Sequence, residues 1–202
     1  MKKTMPILMA VLFFSGTAFA QKIKVLKGDV SAFKGKELVN IEYDYSSMGV
    51  GKFKKEEDYI AKKVKEYNED EPGRGDNWAE SWVADRGNRF EPKFEELFNK
   101  HAEGKSGSVI LVKHGDNDHT VTFKTTYTEP GFNIGVMKKP ASINGELILT
   151  DSSGKELLKM AIFGCPGSQF AGMDFDTGTR LAESYAKCGK ELAKYIAKKG
   201  LK

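Results

Sequence analysis

The 202-residue chain is 40% hydrophobic, 30% charged and 11% aromatic, with a formal net charge of +4. That profile fits an ordinary globular domain and excludes a disordered tail, a collagen-like fibre, a disulfide-dense mini-protein and a multi-span membrane protein. A chain of this size buries enough surface to be stable without covalent staples.

The N-terminus opens with Lys2 and Lys3, continues in an apolar run from Ile7 to Phe14 and reaches Ala18-Phe19-Ala20. A positive start, a short apolar core and a small-x-small site are the parts of a secretory signal peptide, here residues 1–20. The core is too short to remain as a membrane anchor, and no later apolar stretch has spanning length. Gln21 stands where a lipid-modified protein would carry cysteine. The expectation is a signal peptide over 1–20 and a single exported domain over 21–202, with no transmembrane anchor.

Ile23 and Val25 alternate with lysines, and Val39, Ile41, Tyr43 and Tyr45 alternate with Asn40, Glu42 and Asp44. Period-two alternation of this kind predicts two strands, each with one apolar face. From Glu56 to Asn68 the spacing becomes helical, with Ile60, Val64 and Tyr67 on one side and three acidic residues at the N-terminal end. Glu71-Pro72-Gly73-Arg74-Gly75 breaks that helix, and Asp76 is expected to cap the next one, which carries Trp78, Trp82 and Val83. Asn88 with Glu91 resembles a capping box, and Pro92 suits a first turn, so a new or kinked helix presents Phe94, Leu97 and Phe98.

Four strands follow: Val109 to Val112, Val121 to Tyr127, Ile143 to Leu149, and Leu158 to Ile162 after the turn Asp151-Ser152-Ser153-Gly154. The chain closes in a long helix with Leu181, Tyr185, Cys188, Leu192, Tyr195 and Ile196 on one stripe and Lys187, Lys190, Lys194 and Lys198 on another. Runs of strands bracketed by helices predict an α+β fold. The sheet is expected to be largely antiparallel, of about five or six strands, with helices on one face and a long C-terminal helix.

Thr128-Glu129-Pro130-Gly131-Phe132-Asn133-Ile134-Gly135-Val136 with Lys139-Pro140-Ala141, and the closing Asp176, Gly178, Arg180 and Glu183-Ser184-Tyr185-Ala186-Lys187, resemble blocks of uncharacterised secreted proteins of Gram-negative bacteria. The resemblance implies a periplasmic location. The element order is also similar to the α/β domain in the amino-terminal region of TolB and of envelope adapter lipoproteins, although the lipid-attachment cysteine of the latter is missing.

Several local patterns have a chemical reading beside a structural one. Asp176-Thr177-Gly178 matches the aspartic-protease tripeptide, but a single copy ahead of a helical stripe reads as an N-cap. His114, Asp116, Asp118 and His119 are ligand types, yet Gly115-Asp116-Asn117-Asp118 also suits a tight hairpin. Arg74-Gly75-Asp76 reads as a turn, His101 as a helix-end cation, and the lysine stripe as a solvated face. Trp78 and Trp82, one helical turn apart, are core or a sugar-stacking or partner-binding platform. GxSxG, HExxH, P-loop and CxxC signatures do not occur, and the near-neutral charge argues against a nucleic-acid partner.

Two expectations concern function directly. Phe132, Ile134, Val136 and Met137, flanked by Lys138 and Lys139, crowd a Gly- and Pro-punctuated connection, so they form either a binding tip or a tuck under the sheet edge. Cys165 and Cys188 would meet if the last helix packs on the last strand, and in an oxidising compartment they either pair or remain two buried thiols, which look identical in sequence. The reading is a non-enzymatic, secreted accessory of the cell envelope that binds an envelope protein or glycan, with no cofactor or metal. The alternative is a hydrolase or ligand-binding protein acting on envelope material.

Overall fold

The computed structural model describes residues 21–103, 109–167 and 176–200; the expected signal peptide lies outside them. Strand β1 (Lys22–Gly28) is followed by a short 3-10 turn, β2 (Leu38–Asp44) and β3 (Gly49–Val50). Helices α1 (Glu56–Asp70), α2 (Arg74–Asp85) and α3 (Glu91–Ala102) come next, then β4 (Ile110–Val112) and β5 (His119–Glu129). The remainder is a small hairpin of β6 (Phe132–Asn133) and β7 (Lys138–Lys139), the long β8 (Ser142–Asp151) and β9 (Glu156–Pro166), and α4 (Thr177–Lys199).

The fold is α+β, but its seven-stranded sheet is mixed and not largely antiparallel. The strand order is β1-β9-β8-β5-β2-β4, with β3 also beside β5. β1, β9, β8 and β5 are antiparallel neighbours, whereas β2 runs parallel to both β4 and β5, and β3 runs parallel to β5. The cause is the helical segment between β2 and β4. Helices returning the chain to the end of the sheet where it began make the next strand parallel.

The segment expected to be a β4–β5 hairpin does something else. Asn40 of β2 pairs with Val112 on one side and Thr120 on the other, so β4 flanks the first part of β2 and β5 the rest. Residues 113–118 carry the chain across β2 between the two. Asn40 and Asn117 fasten the crossing by reciprocal hydrogen bonds of 3.0 and 2.8 Å. A Cβ on Gly115 would sit 2.5 Å from Asn117 Nδ2 and 2.7 Å from Asn40 Oδ1, so any larger residue would have to displace this amide pair. The β8–β9 turn is as expected, with Asp151 Oδ1 accepting from the backbone of Ser153 and Lys155.

One sheet face is apolar: Ile41, Phe123, Leu147, Met160 and their neighbours are buried under α3 and α4. The opposite face carries ion pairs, Lys124 with Asp44 and Lys159 with Glu146. Gly189 lets α4 approach α3, since a Cβ there would lie 2.3 Å from the Phe94 carbonyl oxygen.

The expected capping box at Asn88 is not formed. α2 runs through a π-helical turn, Arg86–Phe90, straight into α3, whose N-cap position is Phe90 with no side-chain cap. With an unbroken helix there are no free N–H groups for a cap to satisfy. Likewise α2 starts at Arg74 with Gly73 as N-cap, not Asp76. Gly75 packs against the backbone of Val64, Arg74 pairs with Asp70 at 3.5 Å, and Asp76 accepts from Asn68.

Glu56 ties α1 to this helical run. Its carboxylate accepts from Trp82 Nε1 at 2.6 Å and from Arg86 Nη2 at 2.5 Å. Glu56→Ala would leave the buried Trp82 and the half-buried Arg86 without that acceptor and is expected to cost about 2 kcal/mol in chemical denaturation. A loss under about 0.5 kcal/mol would show the tie to be dispensable.

Candidate functional site

The connection from β5 to β8 does not tuck under the sheet. Glu129 Oε1 accepts from Gly131 N at 3.0 Å, and Gly131 has φ of +63° and a Cβ there would lie 2.4 Å from the Lys139 carbonyl oxygen, so the chain can turn out of the sheet there only at glycine. β6 and β7 then pair antiparallel, Phe132 with Lys139 and Asn133 with Lys138. Asn133 Oδ1 accepts from Gly135 N, and Ile134 N donates to Met137 O, which closes the tip.

This geometry sends apolar side chains outward: Phe132 is 39% exposed, Ile134 63%, Met137 59% and Val136 90%. Lys138 and Lys139 are exposed beside them, and Lys139 Nζ lies 2.6 Å from Glu129 Oε2. That carboxylate hydrogen bond raises the ammonium's pKa above its ordinary value.

Behind the hairpin lies an open groove of about 540 Å³ between β3, α1, α2 and the start of α4. One wall is aromatic. Tyr59 meets Trp78 edge-on at 5.8 Å, Tyr67 meets it at 5.7 Å, and Phe53 lies 6.0 Å from Tyr59. The two tryptophans divide between the readings given above: Trp82 is buried in the core, while Trp78 stays partly exposed and lines the groove. Burial pushes the Tyr59 phenol upward in pKa, so it stays neutral. At the base sits Arg180, only 3% exposed, with Nη2 donating to Thr177 Oγ1 at 2.9 Å and Pro130 O at 3.4 Å. Sequence reasoning isolated the hairpin and the tryptophans but not this meeting, because Phe53, Tyr59, Phe132 and Arg180 come from four separate elements.

A second cleft, of about 510 Å³, is lined by Tyr43, Glu91, Lys113 and His114 among others. Its charges are joined to one another. Lys113 Nζ lies 2.7 Å from Glu91 and 3.5 Å from Glu95, and the Tyr43 hydroxyl donates to Glu95 at 3.0 Å. The network fastens α3 to the edge of the sheet.

The remaining singled-out residues fall into place individually. Asp176 caps α4, its carboxylate accepting from Thr179 N at 2.6 Å and from Arg89 at 2.6 Å. Burial opposes ionisation there, but these donors prevail and hold the carboxyl below its usual range. His114, Asp116, Asp118 and His119 belong to the strand-crossing loop and the start of β5. Among the described residues no three metal-ligating side chains converge. Cys165 on β9 and Cys188 on α4 are both fully buried and both free thiols. Burial raises the Cys188 thiol well above its ordinary pKa, with the hydrogen-bonded Cys165 adding to it.

No protein-family model matches the chain, and no curated protein matches it either. Among solved structures the chain is similar to the PelC dodecamer from Paraburkholderia phytofirmans, at 11% identity and a TM-score of 0.36, over 83% of this chain and 96% of that one. It is similar also to a DUF330 protein from Xanthomonas campestris, at 9% identity and a TM-score of 0.36, over 79% of this chain and 82% of that one. Likenesses this weak carry no argument about function. Neither is a TolB domain, and the TolB-like architecture read from the element order gains no support. Among the described residues no helix is long and apolar enough to cross a membrane.

Proposed function

We propose that the chain is exported by residues 1–20 and acts as a single periplasmic domain over 21–202, a non-enzymatic accessory of the cell envelope that docks on an envelope partner through the β6–β7 hairpin. One observation carries the reading: four apolar side chains, Phe132, Ile134, Val136 and Met137, stand in water on a hairpin braced by glycines and side-chain hydrogen bonds. Exposing such residues costs solvation free energy, and a built loop that presents them marks an interaction site more often than a core. Lys138 and Lys139 supply a polar rim of the kind interfaces carry.

The test uses protein purified from its native host. The intact mass is expected to correspond to a chain beginning at Gln21, and retention of Met1 to Ala20 would sink the export claim. The triple variant Ile134→Ser, Val136→Ser, Met137→Ser is expected to keep the wild-type melting temperature and to lose the envelope partners that cross-link to wild type. Partners held equally by both would refute docking through the hairpin.

A further inference from the structure

We propose that the groove behind the β6–β7 hairpin binds a short segment of acidic polysaccharide, with sugar faces against the aromatic wall and carboxylates towards Lys52 and Lys63. This goes beyond the docking role and shares only Phe132 and Lys139 with it, since Ile134, Val136, Met137 and Lys138 do not line the groove.

The first observation is incomplete burial. α1 is an amphipathic helix of 15 residues, yet none of them is fully buried. Its apolar stripe of Tyr59, Ile60, Val64 and Tyr67 is only half covered, and Trp78 of α2 and Phe53 beside β3 are half covered with it. An aromatic cluster serving only to join α1 to α2 would gain by closing; this one remains open along the groove, where rings accept the apolar C–H faces of sugars.

The second observation is charge. Lys52, Lys63, Lys139 and Arg180 line the groove against a single acid, Glu129. The two lysines furthest from Glu129's partner Lys139 in sequence sit beside rings: Lys63 Nζ lies 5.1 Å from the Tyr67 centroid and Lys52 Nζ 5.6 Å from that of Phe53. Lys63 also lies 3.4 Å from Glu66, a solvent-accessible pair at the groove edge that an incoming anion can replace at modest cost. Each ring therefore has an ammonium at its side, so one charged sugar unit meets both together. Arg180, fixed beneath them by Thr177 and Pro130, adds positive potential to the floor.

The arrangement also selects among anionic sugars. Separate ammonium groups spread along an open groove suit single charges repeated along a chain. A dense phosphate would call for several donors converging on one point. The volume of about 540 Å³ is within the range of small-ligand sites, roughly 300–1,000 Å³.

Tryptophan emission reads the site directly, because both tryptophans lie in the aromatic cluster. Titration with an oligogalacturonate is expected to give a saturable change that weakens as salt is added. A neutral oligosaccharide of equal length and a simple sugar phosphate are expected to bind far more weakly. Lys52→Gln with Lys63→Gln is expected to lower affinity by about tenfold or more while melting like wild type. Lys52→Gln alone, at an exposed position, provides a second reading of the same loss. The hairpin triple variant is expected to bind as wild type, which separates this proposal from the docking role. No saturable change up to millimolar ligand, equal binding of the neutral sugar, preference for the sugar phosphate, or full affinity in the lysine variants would each overturn it.

Discussion

Phe94→Ala is expected to lower the unfolding free energy by about 3–5 kcal/mol, read as a fall in the urea midpoint at unchanged slope. Phe94 is fully buried where α3, α4 and the sheet meet, with its ring 4.5 Å from Phe123 and about 6 Å from Tyr43 and Phe98. The cavity left by alanine has little scope to collapse. Gly189 already holds the α4 backbone against Phe94, and the strands on the other side are fixed by their ladders. Phe132→Ala, on the exposed hairpin, removes the same atoms and is expected to change stability by under about 0.5 kcal/mol. Equal losses at the two positions would refute this account of the core.

Joining Cys165 to Cys188 is expected to be worth about 3 kcal/mol, by the entropy of closing a loop of just over twenty residues in the unfolded chain. The two thiols are hydrogen-bonded neighbours between β9 and α4, and nothing needs to move far for them to bond. Burial keeps the Cys188 thiol protonated, so the folded protein offers little thiolate to an oxidant and the bond would form before α4 docks. Protein from an oxidising compartment is therefore expected to show no reactive thiol when denatured without reductant, and to lose that stability on reduction. Two titratable thiols per denatured chain would rule the bridge out.

What the sequence disclosed was face and period. The alternation predicts the buried Val39, Ile41, Val121, Phe123 and Thr125, and the helical stripe predicts Leu181, Tyr185, Cys188, Leu192 and Ile196; a register shift after Thr125 leaves Tyr127 half-buried and buries Thr128 in its place. Alternation says nothing about strand direction, which is why periodicity alone does not distinguish the mixed sheet from a largely antiparallel one. The available signal was the helical segment between β2 and β4, since a helical crossover is how parallel neighbours are joined. Gly115-Asp116-Asn117-Asp118 looks like a hairpin because it has the residues of any sharp turn; that it crosses β2 depends on Asn40, 77 positions from Asn117. The hairpin was legible from its exposed apolar residues, but the groove behind it was not, because its lining is contiguous only after α1, β3 and α4 are assembled.

The position of β2 also constrains the order in which this molecule can be made. Its two flanking strands lie much later in the chain, and its pairing with Thr120 to Lys124 joins it, and the edge strand β4 beyond it, to the rest of the sheet. A polypeptide emerging N-terminus first must carry Val39 and Ile41 without their native neighbours until β5 has appeared. The β8–β9 pair, by contrast, can close locally around its turn at Asp151. Insertion of an early strand into a slot made by late ones, a pairing of high sequence separation, is therefore expected to be the slow step of folding and to leave the chain open for longest while it is being delivered.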